Sequence, residues 1–345
     1  MPHALIFLSK ALTFVAENMK QERYNMNRLR IMNLLTLVLA WVMMTLPSCS
    51  KNEDDSGDKP VSQPFSNKVT YTKSGGGTVT KFISLLPIPQ TNIYQRVSDL
   101  TTSEGQLLTD KNYCNQVLYI DRQDFPGNRY TIETKFTVTP HQVRVNLSQI
   151  KDIKPYDPNS TPCQRHLGDR GEYIVTSHPY IIEKGDLLWS QSSDLLDYAR
   201  RCYEYVAKNF SYVRGSWRTL DEILKDHGGE CGDFSTLVVN LLRYKGIPSR
   251  HNICLRLDGG YHVWVDFYLE GYGWIPLDAT YKHNNPKGDF FGIYDGQCII
   301  VMQDMCYDFG DAMPYDVSIL QDYNYWYWCD GTCNITANHI FGPTS

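Results

Sequence analysis

Two rhythms of apolar residues succeed one another along the chain and divide it. In Tyr130–Val138 the apolar residues Tyr130, Ile132, Phe136 and Val138 share one parity, the pattern of a half-buried strand. Short extended runs of this kind fill the region from about Val69 to Ile182. Examples are Thr78–Leu85 after Gly75-Gly76-Gly77, Arg129–Thr139 after Pro126-Gly127-Asn128, and Glu172–Thr176 after Gly171. They predict an antiparallel β domain. After Gly185 the period lengthens. Leu195, Ala199, Cys202, Val206 and Phe210 recur at helical spacing behind a Ser193-Asp194 start, which makes Cys202 a core residue. A second helix is predicted over Leu220–Leu224. A third opens at Cys231, runs through Phe234, Leu237, Val238, Leu241 and Leu242, and stops at Gly246 with Pro248 behind it. Ser249–Leu257, Tyr261–Glu270 and Trp274–Asp278 follow as extended runs, separated by turns at Asp258-Gly259-Gly260 and Gly271–Gly273. Helices followed by a small antiparallel sheet make the second half α+β.

The front of the chain has a different character. Asn27-Arg28-Leu29-Arg30 precedes an uncharged apolar run, Ile31–Thr45, as the basic and hydrophobic regions of an export signal do. The run ends in Leu46-Pro47-Ser48-Cys49, which resembles a bacterial lipobox with Cys49 as the acylated residue. The acidic stretch after it resembles the tethers of surface lipoproteins. Residues 1–48 are therefore expected to be a signal peptide, with Met26 as the true start, and 49–66 a lipid-attached flexible tether. A β domain over 67–185 and an α+β domain over 186–345 complete the expected organisation. This address is export, with lipid anchoring to the bacterial outer membrane or cell surface.

Composition narrows the function. The 345 residues carry 33 Lys+Arg against 38 Asp+Glu; removing 1–48 leaves 28 against 36, a net charge of −8. An acidic chain without a basic stripe is a poor partner for nucleic acid. Nine cysteines remain beside Cys49, an odd number that predicts at least one free thiol. No CxxC is present; for Cys329 and Cys333 a disulfide or a pair of buried thiols is expected over a metal site. The series Asp304, Asp308, Asp311 and Asp316 lacks calcium-loop spacing and is expected to be a solvated loop. Alternating aromatics in Tyr323–Trp328 fit either a sugar- or peptide-binding cleft or a strand packed on the core. No cofactor or metal is called for.

Three residues carry candidate chemistry. Cys231, in Gly228-Gly229-Glu230-Cys231-Gly232-Asp233, opens a helix, where the macrodipole favours thiolate and free N–H groups can bind an oxyanion. His262 begins a strand on which Val263, Val265, Phe267 and Leu269 take the core face, leaving His262, Trp264 and Asp266 on the other. Asp278 closes the next strand, so a hairpin would bring its carboxylate beside His262. Each feature alone has an ordinary structural explanation; their order and contexts together point to a nucleophile, a general base and an orienting carboxylate.

These segments, GGECGDFSTLVVNLLRYKGIPSR and YHVWVDFYLEGYGWIPLDATY, resemble the core of the transglutaminase-like superfamily over about Asp194–Tyr281. The resemblance implies a papain-like fold, with Cys231 as nucleophile, His262 as general base and acid, and Asp278 as orienting carboxylate. Asp266 stands where relatives often have Glu. It also implies a second oxyanion donor from upstream, for which Trp189, Gln191 and Trp217 are candidates. Leu85-Leu86-Pro87-Ile88-Pro89, Tyr94-Gln95 and Gly127-Asn128 resemble the β domain that precedes this core in many bacterial members. The implied function is a thiol enzyme acting on amide bonds of a protein, peptide or glycopeptide, more hydrolytic than cross-linking. The rival expectation is an inactive surface module that binds peptide or glycan.

Overall fold

A computed structural model of the protein describes residues 61–344. The signal, Cys49 and most of the tether lie outside these residues. The first half supplies β1 (Gln63–Ser74), β2 (Thr78–Ile88), β3 (Gln95–Thr102), β4 (Gln106–Thr109), β5 (Gln116–Arg122), β6 (Arg129–Pro140) and β7 (Val143–Arg144), then helices α1 (Thr161–His166) and α2 (Pro179–Ser190). The second half continues with α3 (Leu195–Asn209), β8 (Ser211–Tyr212), α4 (Leu220–Asp226), β9 (Gly228–Gly229), α5 (Cys231–Tyr244), β10 (Ser249–Arg256), β11 (Tyr261–Leu269), β12 (Gly273–Leu277), α6 (Ala279–Asn284), β13 (Ile293–Tyr294) and β14 (Cys298–Gln303). Strands β15 (Asn324–Asp330) and β16 (Asn334–Pro343) end it, and Cys329 and Cys333 are disulfide-linked at their turn.

Three four-stranded sheets are stacked. Order β16-β1-β6-β3 forms one and β15-β2-β5-β4 the next, with Val69, Tyr71, Phe82, Leu118 and Ile132 filling the space between them. The opposite face of β2 and β5 (Ile83, Leu85, Val117, Tyr119) packs on Ile253, Leu255, Ile299 and Val301 of the third sheet, order β12-β11-β10-β14. Helices cover that sheet's far side through Phe234, Leu237, Leu241, Val265 and Phe267. Because β2 is the middle layer, its burial is nearly continuous rather than alternating. The α+β class and the β11–β12 hairpin agree with the sequence reading.

Four local readings differ. Glu172–Thr176 is a turn held by an Arg170–Ile174 bridge, not a strand. Helix α2 starts at Pro179, before Gly185, with proline in its first turn and His178 Nδ1 accepting the Tyr180 N–H. Gly185 is interior to the helix because a Cβ there would lie 2.4 Å from the Tyr244 ring. The strand β1 takes over the last residues expected in the tether. Most consequentially, β15 pairs with β2 and β16 with β1, so residues 324–343 belong to the sheets of the first half rather than extending the second. Tyr325–Trp328 are accordingly strand residues with half-buried rings.

Candidate functional site

Helix α5 starts where its sequence says it should. Glu230 N–H donates to Asp233 Oδ2 at 2.8 Å, closing the first turn, and Asp233 is buried against Arg218 at 2.9 Å. This fixes Cys231 at the first helical position, beside unpaired N–H groups. Ser235 Oγ donates to the Cys231 carbonyl at 2.8 Å and contacts the Val263 carbonyl at 3.3 Å, tying the helix start to β11.

The alternation of β11 delivers His262 to this point, and the residue is 5% exposed. Nε2 donates to Asp278 Oδ2 at 2.5 Å, and Asp278 Oδ1 accepts the Tyr281 N–H at 2.8 Å as the cap of α6. The Tyr281 ring covers the imidazole, stacked 4.5 Å away at 10°. Burial works against charge on His262, but the Asp278 carboxylate, and after it the Cys231 thiol, hold its pKa well above the ordinary histidine value. Cys231, His262 and Asp278 are thus brought together. Thiol, imidazole and carboxylate in this order can store a proton on the ring and leave sulfur anionic.

Cys231 opens on a cavity of about 430 Å³ with Tyr212, Trp217, Tyr261 and Gln321 in its walls. Of the three oxyanion candidates only Trp217 is here. Trp189 and Gln191 end α2, where Trp189 packs edge-on against Tyr198 and Gln191 caps the helix; neither lines the cavity. Trp217 lies on Gly232, whose Cβ would come within 2.7 Å of the indole. Gly232→Ala is expected to cost ~1–3 kcal/mol through this overlap. Thermal melting checks it, and an unchanged midpoint would mean that the indole yields freely.

Several buried polar groups were hidden from sequence reasoning. Asp304, expected in a solvated loop, is fully buried, bonded to Arg243 Nη2 at 2.5 Å, His166 Nδ1 at 2.9 Å and His251 Nδ1 at 3.4 Å. Its pKa lies well below the carboxylate range; burial opposes this, and Arg243 and the two histidines outweigh it. His251 also contacts Thr236 of α5 at 3.2 Å, so the cluster braces the helix that presents Cys231. Asp266, on the strand face opposite the assumed core, is buried too, between Arg250 at 3.1 Å and the Tyr94 hydroxyl at 2.5 Å. Gln321 Nε2 donates to the Cys254 and His262 carbonyls at 3.1 and 3.3 Å. Only charged residues in apolar strands (Arg250, Asp266) gave any signal of this.

A helix-borne thiol thus faces a strand-borne imidazole–carboxylate pair. Residues 186–279 match the family described as transglutaminase-like superfamily. An uncharacterized protein of Haemophilus influenzae is 24% identical over 244 residues, 56% of this chain; the match spans 62% of that relative's length. Among solved structures, a candidate cysteine protease from Cytophaga hutchinsonii superposes with TM-score 0.54 at 13% identity, covering 83% of this chain and 92% of that one, a likeness of fold. The periplasmic domain of TgpA from Pseudomonas aeruginosa gives TM-score 0.35 at 14% identity, covering 64% and 89%. No helix among the described residues is long and apolar enough to cross a membrane.

Proposed function

We propose that the chain is an exported cysteine hydrolase that cleaves amide bonds, with Cys231 as nucleophile, His262 as general base and acid, and Asp278 as orienting carboxylate. The observation that carries this reading is the 2.5 Å bond between His262 and Asp278, with the Cys231 thiol acting on the same ring. Cys231 sulfur, as thiolate, adds to the amide carbonyl carbon, and the carbonyl electrons move onto oxygen. That oxyanion takes the Cys231 N–H and, as second donor, the Trp217 Nε1–H. Collapse breaks the C–N bond, the nitrogen leaves with the imidazolium proton, and a thioester remains. Neutral His262 then removes a proton from water, whose oxygen replaces sulfur at the carbonyl carbon. A carboxylic acid leaves and the thiolate–imidazolium pair is restored.

Water is favoured over an amine as acceptor because at ~55 M it outcompetes a dilute nucleophile unless a pocket excludes it. The site of action follows from the leader: we read Cys49 as lipidated, holding the protein to the outer membrane or cell surface and facing protein, peptide or glycopeptide substrates. The test is a peptide library incubated with a labelled amine and read by mass. Backbone cleavage or deamidation that disappears in Cys231→Ala is expected. Amine incorporation in place of hydrolysis would make the enzyme a transferase, and products unchanged in Cys231→Ala would remove Cys231 as nucleophile.

A further inference from the structure

A second cavity, of about 310 Å³, adjoins the imidazole–carboxylate pair. Its walls include His262 and Asp278, the aromatic rings of Trp264, Tyr281 and Tyr294, and the guanidinium of Arg144. Trp264 is 4% exposed and held rigidly, stacked on Tyr294 at 5.0 Å and met edge-on by Tyr94 at 5.9 Å. Its Nε1–H nevertheless makes no hydrogen bond within the protein. A buried donor without an acceptor is costly, and such groups are rare in folded chains. The donor is therefore fixed in place for an acceptor that the protein itself does not provide.

The other polar groups of the cavity decide what that acceptor is. Tyr294 Oη already donates to the Cys298 carbonyl at 2.7 Å. Asp289 is engaged by Arg200 at 3.2 Å, and Asp278 by His262. Asp295 accepts the Gln297 N–H at 3.0 Å; it and Arg144 are both exposed, so solvent screens the two alike. Arg144, on β7 opposite Ile293 of β13, makes no ion pair among the described residues. An indole N–H and an unpaired guanidinium in one aromatic-walled cavity offer the donor set of a carboxylate site.

We propose that this cavity binds a free carboxylate on the amine side of the scissile amide, so that the leaving group is a carboxyl-terminal amino acid or short peptide. This rests on the hydrolase reading: Cys231 lines the other cavity and His262 this one, so a substrate attacked at Cys231 would have its leaving nitrogen on the imidazole side. Arg144 and Trp264 are specificity residues in this scheme. They select substrates by the end of the chain rather than by its interior.

Binding tests this without turnover. The Cys231→Ala full-length chain is titrated with acetyl-alanyl-alanine and with its carboxyl-terminal amide. The free acid is expected to bind about tenfold or more tightly than the amide, as a charge-assisted contact implies. Arg144→Gln is expected to erase that preference with the melting temperature unchanged, and Trp264→Phe to erase it with a melting temperature lowered by the lost packing. Equal binding of acid and amide overturns the proposal. So does a preference that survives Arg144→Gln, or no saturable binding of either probe. None of these outcomes alters the reactivity of Cys231, so failure here is separable from failure of the hydrolase reading.

Discussion

Replacing Asp278 by asparagine will shift the alkaline limit of amide turnover toward neutral pH and lower its maximum by about 10²–10⁴-fold. The exchange keeps a side-chain oxygen to cap α6 through the Tyr281 N–H but removes the negative charge beside His262. On the folded protein, burial alone would depress the imidazole, and the carboxylate reverses the sign. With Asp278 in place the ring stays protonated past the usual histidine range, so the thiolate keeps its cationic partner there. Without that charge, desolvation dominates, the ring loses its proton at lower pH, and the thiolate is left unpaired. The measurement is the pH dependence of peptide hydrolysis, in which the imidazolium must protonate the leaving nitrogen. An alkaline limb that does not move in Asp278→Asn would show that the carboxylate does not govern the imidazole.

Asp304→Asn will destabilise the fold by about 3–5 kcal/mol, the cost of stranding a buried charge, here the Arg243 guanidinium with no exposed surface. Denaturant titration reads this directly, and a loss below about 1 kcal/mol would mean that the cluster relaxes to let water in. The same cluster sets an acid limit. Burial lowers the His166 pKa to about 4 and lowers that of His251 as well, although Asp304 pulls both upward. Histidines of the unfolded chain take protons near pH 6.5, whereas these resist until lower pH. Stability is therefore complete above about pH 6.5 and falls as acid is added. His166 alone accounts for roughly 3 kcal/mol by pH 4. His166→Gln should flatten that acid limb, and an unchanged slope would exclude His166 as its source.

The two halves of the molecule were unequally legible. Helix α5 and the strands β11 and β12 followed from local signals, because caps, turns and alternation fix such elements within a few residues, whereas the meeting of Cys231, His262 and Asp278 was what the resemblance to the transglutaminase-like core implied. What the chain does over long separations was not readable. Asp304 looked like one of a series of loop acids, since its partners are 53 to 138 residues away. Gly185 looked like a boundary because the Tyr244 ring that requires it comes 59 residues later. Trp189 and Trp217 were equivalent on paper, and only the approach of one indole to Gly232 separates them. Strand faces misled in the same way: β11 is buried on both sides, so parity could identify a face but not which one met solvent.

The pairing of β15 with β2 and of β16 with β1 makes completion of both sheets wait for residues 324–343. Neither sheet of the sandwich can acquire its outer strand until the final twenty or so residues have emerged. A nascent chain stalled short of that point exposes the open edges of β1 and β2 and gains none of the cooperative pairing that would lock it. The sandwich therefore stays open through most of synthesis, and its two sheets close together once β15 and β16 are available to pair.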